Sequence, residues 1–309
     1  MSLPNPVSDD WNGNVLGGSS NDPCVLHLVE ENLMTNGDFE ETLSGWDKDE
    51  AGRAPSRVDL GVDAPNGNYV MKLLSGAITH RSVAFDGTKI LFTGKLRFLT
   101  ACAGQHCNIT LYITNDANYV ANPVAKFVKL AVESVDTNVD ATDYFMGFFV
   151  ELECVAGKYV HINLESEAGV DTYFDDFMLY EVNEAVSLYE PNKMSLGYKY
   201  YKDAEYELFD GTKKTYAKGW RPTYKVVYDF VDAEGMQKVV RLSEHMFNFF
   251  VPHSNNLCGS YVRFVNDLSY NPFQNKFLGH SVDLELEGIF LQKFKMREYG
   301  ESYFSVTSG

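Results

Sequence analysis

The sequence predicts an all-β fold: an N-terminal β-sandwich, then a second β-rich domain, with an extended arm in front. Three observations carry this. Short runs of alternating apolar and polar residues follow one another from Cys24 onward. Turn residues separate them, as at Asp86-Gly87, Asn115-Asp116 and Asp210-Gly211. Aromatics reach 14% of the 309 residues, with 19 Tyr and 21 Phe, and such rings pack well on pleated surfaces. No long stretch holds a helical period.

The arm, residues 1–23, is rich in Gly, Asn, Ser, Asp and Pro. It cannot bury enough apolar surface alone to offset an ordering entropy of roughly 1–2 kcal/mol per residue. Its anchors, Leu3, Val7, Trp11, Val15 and Leu16, need a groove on another subunit or on the second domain. The sandwich, residues 24–182, holds strand-like runs at Tyr69–Leu74, Lys95–Leu99, Asn108–Ile113, Phe145–Leu152 and Lys158–Leu164. Glu181 to Ser195 reads as a junction into the second domain, residues 183–309. There Tyr198–Lys202 and Glu205–Phe209 precede the Asp210-Gly211 turn. Tyr224–Val231 and Gln237–Leu242 flank Asp232-Ala233-Glu234-Gly235 and predict a hairpin. Val282–Glu287 alternates cleanly, and Ser243–Gly279 reads as a long loop with one short helical turn near its start.

A net charge of −17 lacks the basic footprint that sequence-independent nucleic-acid binding requires, and it disfavours anionic membranes. No stretch approaches a membrane span. Met1 to Asp10 has neither the basic start nor the apolar core of a secretory signal. The five cysteines, Cys24, Cys102, Cys107, Cys154 and Cys258, show no regular framework. Cys102 and Cys107 either pair or are buried thiols, and a reducing compartment suits an odd count without Cys-x-x-Cys.

Two segments carry a family resemblance. One is Asn32-Leu33-Met34-Thr35-Asn36-Gly37-Asp38-Phe39-Glu40, followed by Gly45-Trp46. The other is Tyr173-Phe174-Asp175-Asp176-Phe177-Met178-Leu179-Tyr180. Together they resemble the opening and closing strands of carbohydrate-binding modules with a galactose-binding-like jelly-roll fold. The resemblance covers Leu26 to Glu181. It implies a structural calcium held by Glu40 and Asp175, with Asp38 a further ligand or a turn residue. Calcium takes roughly six to eight oxygens, which carboxylates and turn carbonyls supply. The resemblance also implies carbohydrate binding through an aromatic platform and a few polar partners. Candidate platforms are Trp46, Tyr69, Tyr112, Tyr119 and Tyr144, although in the family the residue at Trp46 usually packs in the core.

Other chemistry finds no footing. His245, His253 and His280 lie near Glu244 and Cys258, but no metal-ligand spacing joins them. Neither a Gly-x-Ser-x-Gly elbow nor a phosphate loop ending Gly-Lys-Ser/Thr occurs. No carboxylate pair can be placed across a cleft.

The second half resembles accessory head or tail proteins of tailed bacteriophages infecting gut Bacteroidetes, though no single motif carries this. The combined expectation is a non-catalytic virion component. It would attach to other virion proteins or to copies of itself, and its jelly roll would touch host-surface glycans. The alternative is an exported, cell-surface or secreted glycan-binding protein, or an accessory module of a glycoside hydrolase. A signal upstream of Met1 separates the two.

Overall fold

In the computed structural model, residues 23–47, 53–99, 106–115, 117, 126–133, 145–153, 159–188, 191–207, 213–252, 259–265, 270–272, 280–290 and 304–308 are described. The expected arm up to Asp22 lies outside them, as do Tyr119 and Tyr144. The fold is all-β, as the alternation predicts. Its strands in chain order are β1 (Cys24–Leu28), β2 (Ser56–Asp59), β3 (Tyr69–Leu73), β4 (Ile78–Ala84), β5 (Lys89–Phe98) and β6 (His106–Thr114). Next come β7 (Lys126–Glu133), β8 (Met146–Glu153), β9 (Tyr159–Ser166), β10 (Thr172–Ser187), β11 (Lys193–Glu207) and β12 (Lys213–Val231). Helix α1 (Ala233–Glu244) precedes β13 (Asn248–Val251), β14 (Ser260–Phe264), β15 (Tyr270–Pro272), β16 (His280–Gly288) and β17 (Phe304–Ser308).

Two antiparallel sheets form the first half. One joins β2, β3, β10, β5 and β8; the other has the order β17-β7-β6-β9-β4. Their facing side chains make one core, including Phe39, Phe92, Phe98, Phe148, Phe174 and Phe177. Burying each such ring is worth about 1.5–3 kcal/mol.

The first sheet does not stop at the sandwich. It continues through β10, β1, β13, β14, β16 and β12 to β11. β10 runs unbroken past the expected 182/183 boundary, and its end, Val182 to Ser187, pairs with β1. β1 in turn pairs with β13 on its other edge, Cys24 opposite Val251. A second core under β12, β14 and β16 includes Val226, Phe250, Val262 and Leu284. A third bridges the halves through Leu26, Leu91, Phe149, Tyr180 and Phe249.

The expected hairpin after Tyr224–Val231 is not formed. Gln237–Leu242 lies in α1 instead. Asp232 starts this helix: its side chain accepts from the Gly235 N–H at 2.7 Å, as an N-cap does. Met236 and Val239, three apart, are both buried against the sheet. The β-branched pair Val239-Val240 favours a strand locally, whereas Met236 and Val239 have the spacing of a helix face. The strands expected at Tyr198–Lys202 and Glu205–Phe209 fall in one long β11 as far as Glu207, and Leu208 and Phe209 lie outside the described residues.

Cys107 is a buried free thiol, so it is not bridged to Cys102 in this structure. Cys24 is likewise buried and free, and burial raises both thiols well above their ordinary value. Among the described residues no helix is long and apolar enough to cross a membrane.

Candidate functional site

The two signature segments meet. Asn32 uses one side-chain oxygen to accept from the N–H groups of Met34 and Leu179, each at 3.0 Å. That ties the opening segment to β10. The Phe177 N–H donates to the Gly37 carbonyl at 2.9 Å. A Cβ on Gly37 would collide with the Phe177 carbonyl, so glycine is required there. Phe39 packs its ring against Phe177 with centroids 5.4 Å apart. Asn36, Phe39 and Asp176 all hold left-handed backbone, which β-rich segments rarely do.

β10 carries a bulge between Asp175 and Met178. The bulge sends the two adjacent carboxylates to different partners. Asp175 is fully buried and accepts from the Asn66 N–H at 2.9 Å and the Asp176 N–H at 2.7 Å. Burial pushes its carboxyl up to about 8. Asp176 pairs with Lys95 at 2.7 Å. Glu40 meets the same 66–69 loop as Asp175: one oxygen accepts from the N–H groups of Asn68 and Tyr69, each at 2.7 Å.

These residues do not fit a calcium ion as arranged. Both Asp175 oxygens and one Glu40 oxygen already accept from backbone N–H groups. The Asp38 side chain accepts from the Glu40 N–H at 3.3 Å. The positive charge in the clasp comes from Arg57. Its guanidinium donates to the Phe39 carbonyl at 2.8 Å and to the Glu40 carbonyl. Among the described residues no three His, Cys, Asp or Glu side chains converge on a metal position.

The other sheet offers a different kind of surface. Successive residues of a strand face opposite ways. In β6, Cys107, Ile109, Leu111 and Ile113 enter the core, which leaves Asn108, Thr110, Tyr112 and Thr114 on the outer face. In β9, Val160, Ile162 and Leu164 enter it, which leaves His161, Asn163 and Glu165 outside. Strand register then aligns three rows: Ser82–His161–Tyr112, His80–Asn163–Thr110, and Ile78–Glu165–Asn108.

This face is polar yet poorly hydrated. Asn108, Thr110, Thr114 and His161 are buried, while His80, Ser82, Tyr112, Asn163 and Glu165 are half-buried. Asn108 donates to Glu165 at 3.2 Å, and Thr114 and His161 share a bond of 2.8 Å. His80 approaches Asp47 at 3.0 Å. Ser82 Oγ is buried with no hydrogen-bond partner among the described residues. An unsatisfied buried hydroxyl costs about 1–3 kcal/mol. Donors and acceptors around one tyrosine ring suit a polyol with an apolar C–H face.

The expected platforms separate here. Tyr112 lies on this face. Trp46 is 7% exposed and packs between Phe177, at 5.6 Å, and Arg81, at 6.0 Å, so it is a core residue. Tyr69 has Arg57 stacked 3.4 Å over its ring. Tyr119 and Tyr144 lie outside the described residues. The sequence reading missed His80, Ser82, Asn108, His161, Asn163 and Glu165. The signal was present: polar residues recur at every second position inside otherwise apolar strands.

No protein-family model matches the chain, and no curated protein does. Solved structures that it resembles include TmCBM61, a carbohydrate-binding module in complex with β-1,4-galactotriose. That pair is 16% identical, with a TM-score of 0.35, over 49% of this chain and 99% of that one. The tandem CBM22-1–CBM22-2 domain of Paenibacillus barcinonensis Xyn10C is 11% identical, with a TM-score of 0.37, over 91% of this chain and 99% of that one. Tailspike protein 4 of bacteriophage CBA120 is 15% identical, with a TM-score of 0.35, over 49% of this chain and 21% of that one. At these identities and scores the likeness says nothing of what this chain binds.

Proposed function

We propose that this protein is a non-catalytic glycan-binding protein and that the outer face of β4, β9 and β6 holds the sugar chain. The observation that carries the reading is the row Ser82–His161–Tyr112. It places the half-buried Tyr112 ring two strands from Ser82, with His161 between them and Asn163 and Glu165 one and two rows away. A hydroxyl-rich chain laid along the strands meets a donor or acceptor at each row. Binding of this kind needs no reacting group, and none is arranged on the face.

The test is Tyr112→Ala, titrated against whichever of galactan, xylan and mixed-linkage β-glucan the intact protein binds. Loss of one well-placed ring should weaken binding about tenfold, or roughly 1.4 kcal/mol, with the unfolding transition unchanged. Equal binding by the variant overturns the assignment. New reducing ends on incubation with the polysaccharide overturn its non-catalytic part.

The finer reading is a component of a tailed-phage particle that displays this sandwich. The resemblance of the second half supports it, and so does multivalent display, which makes weak sugar contacts effective. Mass spectrometry of purified particles decides it. An export signal encoded upstream of Met1 would favour the exported alternative.

A further inference from the structure

The solvent face of the second half holds a constellation that the first site does not use. On β12, Tyr224 and Val226 face the core, and on β16 Leu284 and Leu286 do. Their neighbours face away, and register lines them up across β11, β12 and β16. One row is Ser195–Lys225–Glu285. The next is Gly197–Thr223–Glu287, and Lys199 sits opposite Arg221 in the third.

The middle row is hollow. Gly197 has no side chain, and a Cβ there would lie 2.9 Å from Thr223 Oγ1. The result is a groove of about 340 Å³ crossing the three strands. One end is organised around Glu287, which is 3% exposed although it stands on the solvent side. Tyr201 donates its hydroxyl to Glu287, Arg221 approaches it at 3.4 Å and Lys199 at 3.8 Å. Burial alone would raise the Glu287 carboxyl. These three partners outweigh burial and hold it below its ordinary value. Arg221 in turn lies 4.7 Å from the Tyr201 ring, and its buried Nε has no partner among the described residues. The other end carries Lys225, 3.7 Å from Glu285.

We infer that this groove is a second saccharide site, for uncharged sugar residues. Cations and carboxylates alternate along it, so a charged ligand meets a like charge within one row. A sugar hydroxyl both donates and accepts, so it finds a partner at every row. The groove's volume leaves room for a ring, while the Glu287 cluster fixes Tyr201, Lys199 and Arg221 before ligand arrives. Such preorganisation lowers the entropy lost on binding. Two sites, one on each of the two sheets, would give the chain bivalent attachment to a polymer.

Native gel electrophoresis through β-1,4-galactan, xylan, mannan or mixed-linkage β-glucan tests this with the full chain. The variants are Thr223→Trp, which fills the hollow, Lys199→Ala, which removes an exposed donor, and Tyr112→Ala as the control for the other face. Thermal melting checks that each is folded. In a polysaccharide that retards the intact protein, each groove variant should weaken the apparent affinity about tenfold, and Tyr112→Ala with Lys199→Ala together should abolish retardation. Groove variants that migrate like the intact protein overturn the second site and leave the first standing. Loss in the groove variants alone, with Tyr112→Ala unaffected, supports the groove and sinks the first site. An intact protein that none of the polymers retards overturns both.

Discussion

Asp175→Asn should remove a pH dependence that the fold itself creates. Asp175 is fully buried, and its two oxygens accept only from the backbone N–H groups of Asn66 and Asp176. Burial pushes the carboxyl up to about 8 from an ordinary 3.8, with the Asp176 carboxylate adding to the rise. Between those values the unfolded chain has lost this proton and the folded chain keeps it. The folded state therefore binds more protons, and stability falls as pH rises through that window. Each pH unit is worth about 1.36 kcal/mol, so the three units from pH 5 to pH 8 set an upper limit of about 4 kcal/mol. Asparagine has no proton to lose. Urea unfolding of both proteins at pH 5, 6, 7 and 8, in chelator, measures the difference. The intact protein should lose stability relative to the variant across the series. Calcium bound at Asp175 and Glu40 would hold the carboxyl ionised in the folded state, as it is in the unfolded chain, and abolish that slope. Repeating the series in millimolar calcium should therefore change nothing. Parallel curves in chelator refute the buried-proton argument, and a slope that calcium abolishes refutes the hydrogen-bonded clasp.

Two further predictions concern packing and acid. Phe177→Ala should destabilise the protein by about 3–5 kcal/mol in denaturant, because Phe39, Trp46 and Phe92 all lie within 5.6 Å of its ring centroid. A cost below about 1 kcal/mol would mean the site collapses and the core is not held by this ring. His27 is buried and bonded to Asn248 at 2.5 Å, and burial lowers its pKa below 6.5. Below pH 6.5 the unfolded chain takes up this proton first, so His27 makes stability fall on acidification. His27→Gln should flatten that fall in melts between pH 5 and 6.5, and an unchanged acid limb would exclude His27 as its source.

What the sequence revealed follows from how local each constraint is. Gly37 was legible because a glycine before an aromatic is demanded by one close approach, to the Phe177 carbonyl. The polar face of β6 and β9 was equally legible, since period-two alternation names the residues that share a face. It was overlooked because attention fell on aromatics, and a ring such as Trp46 is as useful to a core as to a sugar. Helix α1 was misread because the β-branched pair Val239-Val240 favours a strand, and the helical spacing of Met236 and Val239 is only one turn long. The Glu287 cluster could not be read at all. It joins Tyr201 to a carboxylate 86 residues away, and no local pattern reports a pairing at that distance.

The seam between the halves shows why a boundary drawn from composition fails here. Glu181 to Ser195 looks like a junction because its residues are mixed and include Pro191 and Asn192. Yet β10 runs through its first part to Ser187 as strand, held by β1 along one edge. β1 is completely buried on both faces, unlike an edge strand with one wet side. Its His27 reaches Asn248, 221 residues away, and stacks 4.0 Å from His245. Opposite it, Glu184 is bound by Arg241 of α1 at 3.0 Å. Strand β1 thus contributes Val25 to the second half's core and Leu26 to the bridging core. A five-residue segment that serves two cores and two sheet partners cannot be removed with either half alone. The first half's closing strand and the second half's central sheet are one hydrogen-bonded surface, which carries the groove, while the β4–β9–β6 face belongs to the other sheet and is joined to it through the first half's shared core.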